Sequence, residues 1–145
     1  MPRLLFVCLG NICRSPAAEG IARAVAKRDR LDWQIDSAGT GAWHVGAPPD
    51  ARMVASAAAR GLDLSQQRAR QARPEDFRDF DHIFAMDRNN VQDLSALRPE
   101  NARARLHLFL GDQSVPDPYY GGEDGFEQVL DMIQTRMEAL AQEIV

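Results

Sequence analysis

The sequence predicts an α/β fold in which a four-stranded, mostly parallel sheet lies between layers of helices. Segments with strand and helix patterns alternate along the chain, as is typical of parallel sheets. The connections between parallel strands are right-handed, which places helices on both faces of the sheet and gives a doubly wound, three-layer architecture. The length of 145 residues matches one domain of about 100–200 residues. We therefore expect a single domain over residues 1–145.

The first strand and the first helix are predicted from adjoining segments. Residues 4–7 (LLFV) form a continuous apolar run, which is typical of a central strand covered on both faces. Ser15 and Pro16 follow closely, and they predict an N-cap and a proline at the first helical position. Apolar residues then recur at helical spacing, so we expect the first strand to lead directly into a helix.

The remaining elements follow from the same signals. Further strands are predicted at residues 33–37, 82–86 and 106–110. Helices are predicted from Asp50 to Arg60, where Gly61 ends the helix, and from Asp87 to about Leu97, before Pro99. A last amphipathic helix is predicted from Phe126 to Ile144, with Asp124 as its N-cap and Glu127 in capping-box position.

Charge and composition exclude several classes of protein. The formal net charge of −4 is unlike the basic face that nucleic-acid binding requires. No apolar run reaches the roughly 18–20 residues of a membrane span, and the start lacks the apolar region of a signal peptide. Cys8 and Cys13 are the only cysteines, and they lie too close in sequence to staple a fold. These features favour a reducing, cytoplasmic location.

The chemistry concentrates in residues 7–16, VCLGNICRSP, which we call the phosphate loop. A loop between a strand end and a helix N-terminus presents backbone N–H groups and the positive end of the helix dipole. Gly10 and Asn11 tolerate the left-handed backbone that such a cradle needs. The segment therefore predicts a site for phosphate or another oxyanion.

Three side chains of the phosphate loop have residue types suited to phosphoryl transfer. Cys8, surrounded by amides and a guanidinium, would act as a thiolate nucleophile. Arg14 can bind two phosphate oxygens through its planar fork. Ser15 can donate a hydrogen bond to the thiolate. Taken alone, Cys8 could equally be a small buried apolar residue at a strand end.

A second segment carries a candidate general acid. Residues 115–122, VPDPYYGG, are called the acid loop here. The two prolines stiffen the backbone around Asp117, and a positioned carboxyl group could protonate a poor leaving group. Tyr119, Tyr120 and Trp43 could wall a slot for an aromatic ring. On its own, the segment would be an ordinary Pro/Asp/Gly turn.

The phosphate loop and the later DPYY sequence (residues 117–120) resemble those of the low-molecular-weight protein tyrosine phosphatases. Residues 36–39, Trp43, residues 69–71 and residues 85–87 extend the similarity over nearly the whole chain. The resemblance implies a flavodoxin-like fold and a monomeric phosphatase without metal or cofactor. It also implies phosphotyrosine-containing proteins as substrates and a reaction through a phosphocysteine.

Roles for individual residues follow from this resemblance. It implies that Cys8 is the nucleophile, Arg14 the phosphate clamp, Ser15 the thiolate stabiliser and Asp117 the general acid. Asn11 is similar to the family residue that locks the loop. The remaining substrate-binding residues implied are Leu9, Gly10, Ile12 and Cys13 in the loop, and Trp43, Tyr119 and Tyr120 around the slot.

Three alternatives use a similar fold or loop. Arsenate reductases that resemble this chain need resolving cysteines late in the sequence, but none follows Cys13. A phosphocarrier domain would not need Arg14 or Asp117. A non-catalytic phosphate-binding module would have no use for a nucleophile paired with an acid.

Two further expectations concern other residues. The three histidines, His44, His82 and His107, are scattered in the sequence, so neither a metal site nor a catalytic histidine is expected. Cys13 lies in the same tight loop as Cys8. A reversible disulfide between them would protect an oxidised Cys8 from further oxidation.

Overall fold

A four-stranded parallel sheet forms the centre of the protein, with strands in the order β2-β1-β3-β4. The computed structural model describes residues 1–122 and 124–144, and of Tyr120 the backbone alone. The strands are β1 (Arg3–Cys8), β2 (Gln34–Gly39), β3 (His82–Ala85) and β4 (Arg105–Leu108). The helices are α1 (Arg14–Asp29), α2 (Ala51–Ala58), α3 (Asp76–Asp79), α4 (Arg88–Leu97) and α5 (Asp124–Glu143), with a 3₁₀ turn at Pro118–Tyr120.

Strand β1 divides the apolar core into two parts, one on each face of the sheet. Leu4 and Phe6 belong to the cluster beneath α1 and α5, whereas Leu5 and Val7 belong to the cluster beneath α3 and α4. All four side chains are completely buried, because alternate residues of a strand point to opposite faces. The predicted three-layer architecture is confirmed.

The start of α1 differs from the prediction. The helix begins at Arg14, and its N-cap, Cys13, makes no side-chain capping bond. Ser15 is therefore not the N-cap, and Pro16 is the third helical residue rather than the first. Proline is tolerated there because the first N–H groups of a helix have no partner within it. The Ser15 hydroxyl is instead engaged with Cys8.

Other boundaries agree within a few residues. Asp50 is the N-cap of α2 and Asp87 is the N-cap of α4, and both helices were predicted to begin at these residues. Helix α2 ends two residues before the predicted Arg60, and Gly61 follows with a left-handed φ of 81°. Strand β2 extends to Gly39, and β4 ends at Leu108 rather than at residue 110.

Two helical features were not predicted from the sequence. The single turn α3 is too short to give a periodic pattern. Asp124 is the first residue of α5 rather than its N-cap. The residue before it lies outside the described part of the chain. Glu127 accepts a hydrogen bond from Arg60 at 2.7 Å, so it links α5 to the end of α2.

The topology places the functional segments at one edge of the sheet. The phosphate loop follows β1, Asp87 follows β3, and the acid loop lies beyond β4. Because all strands are parallel, these segments meet at the carboxyl ends, where α/β proteins bind ligands. Among the described residues, no helix is both long enough and apolar enough to span a membrane.

Candidate active site

Cys8 lies at the base of the phosphate loop, where β1 ends. It is 3% exposed, and its Sγ lies 3.0 Å from Ser15 Oγ. Ser15 Oγ accepts a hydrogen bond from Asn11 Nδ2 at 2.8 Å, which leaves its own proton free to be donated. The Ala38 carbonyl is a second acceptor at 3.3 Å. The hydroxyl is therefore placed to donate to a Cys8 thiolate.

Asn11 fixes the conformation of the phosphate loop. Its backbone is left-handed, with φ of 56°, a conformation that Asn tolerates better than most residues. Its Nδ2 also donates to Ser37 Oγ at 3.0 Å, and its Oδ1 accepts from the backbone N–H of Arg70 at 3.1 Å. The expectation of a left-handed backbone is confirmed at Asn11.

Gly10 does not have the expected left-handed backbone. A Cβ atom at this position would come within 2.9 Å of His44 Cδ2, so a larger residue would displace the His44 side chain. The prediction of a left-handed backbone was therefore wrong at Gly10.

A buried polar network extends from the loop into the protein. Ser37 Oγ donates to Glu19 Oε1 at 2.6 Å, and Glu19 Oε2 accepts from Arg23 Nε at 3.0 Å. Ser37 belongs to β2 and Glu19 to α1. The phosphate loop is thus hydrogen-bonded to both elements beside it, which restricts its backbone to one conformation.

Arg14 is buried with its guanidinium held by acceptors on two other segments. Nη1 donates to Asp87 Oδ2 at 2.6 Å and to the Val115 carbonyl at 3.0 Å. Nη2 lies 3.5 Å from Asp117 Oδ2. Burial alone would lower the pKa of Arg14, but the nearby Cys8 and the two carboxylates raise it above its ordinary value. The guanidinium therefore remains charged.

Asp87 is a site residue that sequence reasoning missed. The sequence predicts Asp87 as the first residue of a helix, and its carboxylate accepts a hydrogen bond from the Asn90 N–H in a capping box. The same carboxylate also orients Arg14. Two sequence signals were present: an acidic residue after a predicted strand, and the family resemblance at residues 85–87, which assigned no role to Asp87.

Asp117 lies on the acid loop with its carboxyl group facing Arg14. Oδ1 accepts from the backbone N–H of Tyr119 at 3.0 Å, which caps the 3₁₀ turn. The side chain is 31% exposed, so it can exchange protons with water.

These segments enclose a pocket of about 290 Å³. Its lining comprises most of the predicted site residues, Cys8, Leu9, Gly10, Ile12, Cys13, Arg14, Trp43, Asp117 and Tyr119, together with His44. Trp43 is 73% exposed at the rim. Asn11 and Ser15 do not line the pocket but lie beneath it. The side chain of Tyr120 lies outside what the structure describes.

The histidines are placed differently from the expectation. His44 was given no role, yet it lines the pocket beside Trp43. His82 and His107, which appear scattered in the sequence, lie together, with His82 Nδ1 3.0 Å from His107 Nε2. Across residues 1–122 and 124–144, no three His, Cys, Asp or Glu residues are grouped to hold a metal ion.

The two cysteines of the pocket are both free and buried. Burial and the nearby Asp50, Cys8 and Asp117 raise the pKa of the Cys13 thiol far above its ordinary value. Cys13 is therefore a thiol at neutral pH, which leaves Cys8 as the candidate nucleophile.

Comparison with known proteins identifies the family. Residues 3–145 match the model for "Low molecular weight phosphotyrosine protein phosphatase". The Schizosaccharomyces pombe protein of that name is 41% identical, over 96% of this chain and 97% of its own. A protein tyrosine phosphatase structure from Entamoeba histolytica superposes with a TM-score of 0.94 at 39% identity, covering 99% of this chain and 97% of the other.

A second similar structure is described as a Drosophila arginine phosphatase. It has a TM-score of 0.89 and 36% identity, over 97% of this chain and 96% of the other. Together, the fold and the matches define a protein tyrosine phosphatase, a hydrolase of phosphate monoesters. The chain belongs to the low-molecular-weight phosphotyrosine protein phosphatase family, whose members are metal-independent. Both the resemblance and the flavodoxin-like fold are confirmed.

Proposed function

We propose that this phosphatase hydrolyses phosphotyrosine in proteins in two steps, with Cys8 as the nucleophile, Arg14 as the phosphate clamp and Asp117 as the general acid. One observation carries the proposal. Cys8 and Asp117 line the same pocket as the buried Arg14 guanidinium, which lies 3.5 Å from Asp117 and interacts electrostatically with Cys8. A phosphate group bound to Arg14 would therefore lie in the pocket that both the nucleophile and the acid line.

The shape of the pocket supports an aryl phosphate as the substrate. The loop N–H groups of residues 9–14 and the Arg14 fork would bind the phosphate oxygens. Trp43 and Tyr119 stand at the rim, where they would enclose a phenyl ring. A phosphoserine side chain is shorter, so its phosphate would not reach Cys8 without bringing the peptide backbone into the slot.

In the first step, the Cys8 thiolate attacks phosphorus in line with the departing oxygen. The P–O bond breaks as Asp117 gives its proton to the tyrosine oxygen, and the phosphoryl group remains on Cys8. Arg14 and the loop amides would neutralise the charge on the equatorial oxygens.

In the second step, the Asp117 carboxylate takes a proton from water, and the water oxygen attacks the phosphocysteine. The S–P bond breaks, inorganic phosphate leaves, and Cys8 returns to a thiolate. Ser15 would donate its hydroxyl hydrogen to that thiolate, which makes the sulfur a better leaving group.

The wider setting is also part of the proposal. We propose that residues 1–145 act as one catalytic domain and as a monomer, in the cytoplasm. The cytoplasmic location is supported by chemistry, because Cys8 must stay reduced to act as a nucleophile and a reducing compartment keeps thiols free. A monomer would also leave the exposed Trp43 rim open to protein substrates.

The test is hydrolysis of matched peptides that carry phosphotyrosine, phosphoserine, phosphothreonine or phosphoarginine. Phosphoarginine is included because one similar structure is described as an arginine phosphatase. We expect strong preference for phosphotyrosine and no turnover by Cys8→Ser. Comparable rates on all peptides, or preference for phosphoarginine, would contradict the proposed substrate.

A further inference from the structure

Arg52, in the first turn of α2, joins parts of the site that are distant in sequence. Its guanidinium binds Asp50 through two bonds, Nε to Oδ1 at 3.1 Å and Nη2 to Oδ2 at 2.9 Å. Nη2 also donates to the Tyr119 carbonyl at 3.1 Å. The one side chain thus connects the start of α2 to the acid loop.

The same guanidinium contacts two aromatic rings. Its central carbon lies 5.5 Å from the centroid of the Tyr119 ring and 4.7 Å from that of Phe126. Both distances fall within the roughly 6 Å range of cation–π attraction. Tyr119 is therefore held at its backbone and at its ring, and the acid loop is joined to α5 as well.

These contacts form a path from the phosphate loop to the acid. The Asp50 N–H donates to the Ile12 carbonyl at 2.8 Å, at the phosphate loop. At the other end, the Tyr119 N–H donates to Asp117 Oδ1 at 3.0 Å. Arg14 also joins the two loops directly, since its Nη1 donates to the Val115 carbonyl at 3.0 Å, but its contact with Asp117 itself is longer at 3.5 Å.

The acid loop needs such support because Asp117 is partly exposed. A general acid must lie within hydrogen-bond reach of the leaving oxygen, and a displacement of about 1 Å can cost on the order of 100-fold in rate. The bond from Arg52 to Tyr119 holds the 3₁₀ turn that Asp117 caps.

We propose that Arg52 is a positioning residue, because it holds the Asp117 carboxyl group at a fixed height above the pocket. This inference rests on the general-acid role proposed above for Asp117. The Arg52 side chain is 46% exposed, and exposed ion pairs contribute little to stability. Its removal should therefore change the reaction more than the folding.

The experiment measures kcat/KM for a series of aryl phosphates with graded leaving-group pKa. Arg52→Met should slow phenyl phosphate, whose leaving group has a pKa near 10, about 10-fold, and the most acidic phenols less than about 2-fold. Asp117→Asn should show the same trend with a larger loss. In the Asp117→Asn background, Arg52→Met should cause no further graded loss, because the acid that it positions is already absent.

Arg60→Met is the matched control. Arg60 also reaches α5, where it binds Glu127 at 2.7 Å and Asp131 at 2.8 Å, but it does not line the pocket. We expect wild-type kinetics from this variant. Arg52→Lys, which keeps the charge but not the planar fork, serves as the second variant if Arg52→Met unfolds, and it should show a weaker version of the same trend.

The outcomes distinguish the two proposals. If Arg52→Met slows every substrate equally, or raises KM alone, then Arg52 contacts substrate or supports the fold generally, and the positioning role is wrong. The positioning role would also be wrong if Arg52→Met lowered kcat/KM by the same factor in the Asp117→Asn background as in the wild type. If Asp117→Asn itself shows no dependence on the leaving group, then the general-acid assignment fails, and the role of Arg52 fails with it.

Discussion

The phosphate loop and the acid loop face the same pocket but are held in place in different ways. The phosphate loop is anchored by buried side chains, since Asn11 and Ser15 are at most 3% exposed and are bonded to their neighbours. The acid loop carries a partly exposed Asp117, and it is held by contacts from distant side chains, Arg14 and Arg52.

This difference matches the work proposed for each loop. The phosphate loop must stabilise charge in both chemical steps, which requires dipoles that do not reorganise. The acid loop must admit a leaving group and exchange a proton with water, which requires exposure. A change in the phosphate loop should therefore affect all substrates, whereas a change in the acid loop should depend on the leaving group.

The largest expected effects come from Cys8→Ser and Asp117→Asn. Cys8→Ser should abolish turnover of every substrate, because it removes the nucleophile. Asp117→Asn should reduce kcat/KM by roughly 10²–10⁴-fold for phosphotyrosine and much less for an aryl phosphate with an acidic phenol, which leaves as its anion. Measuring kcat/KM across graded phenols checks both variants.

An equal loss across the series for Asp117→Asn would remove the contrast between the loops. Asp117 would then be a binding or structural residue. If Cys8→Ser hydrolysed every aryl phosphate of the series at the same fraction of the wild-type rate, this result would likewise argue against a phosphocysteine intermediate.

Asn11→Ala should have a smaller effect that is uniform across substrates. It leaves a left-handed backbone without a suitable side chain and removes the bonds to Ser15 and Ser37, which should cost about 2–4 kcal/mol of the free energy of unfolding. We expect kcat/KM to fall roughly 10–100-fold for acidic and basic phenols alike. Thermal unfolding and the same aryl phosphate series measure the two effects.

Asn89→Ala is the control for that variant, because Asn89 is exposed on α4. It should retain wild-type stability and kinetics. A graded response of Asn11→Ala to the leaving group would mean that the phosphate loop also positions the acid.

Sequence reasoning found the phosphate loop more completely than the acid loop. Cys8, Arg14 and Ser15 lie in one short segment between a strand and a helix, so local pattern was enough to predict where they meet. Asp117 was found because prolines flank it and because DPYY resembles the family. The fold was predicted from alternating elements, except for the single turn α3.

The residues that were missed act through contacts that no local pattern shows. Asp87 reaches Arg14 across 73 positions, and Arg52 reaches Tyr119 across 67. By local pattern each of them is an ordinary helix-start residue, and the family resemblance at residues 85–87 assigned no role to Asp87. His44 likewise lines the pocket through the packing of its loop against Gly10.

Cys13→Ser should change recovery from oxidation. Peroxide converts the Cys8 thiolate to a sulfenic acid, which a neighbouring thiol can trap as a disulfide that a dithiol reduces. We expect wild-type enzyme inactivated by peroxide to regain activity with a dithiol, and Cys13→Ser to regain far less of its own starting activity. Equal recovery would exclude a protective role for Cys13.

The smallest expected effect comes from a region remote from both loops, the pair His82 and His107. Burial lowers the pKa of both rings, and the charge of Arg105 lowers it further. His82 and Arg136 add to the lowering at His107, whereas Asp81 opposes the lowering at His82. The unfolded chain, with histidine pKa near 6.5, therefore binds more protons than the folded chain just below that pH. The contribution of the neutral pair to stability is present above about pH 6.5 and is lost as the pH falls toward the lowered pKa values of the folded state.

His107→Gln removes one titrating ring, so the melting temperature of this variant should fall less than that of the wild type between about pH 7.5 and 5.5. The leaving-group dependence of kcat/KM should stay unchanged, because neither ring lines the pocket. If the melting temperatures of the two proteins fall equally with pH, then the histidine pair does not cause the pH response. If the variant has an altered leaving-group dependence, then a loss of stability far from the site can imitate a change in the acid loop.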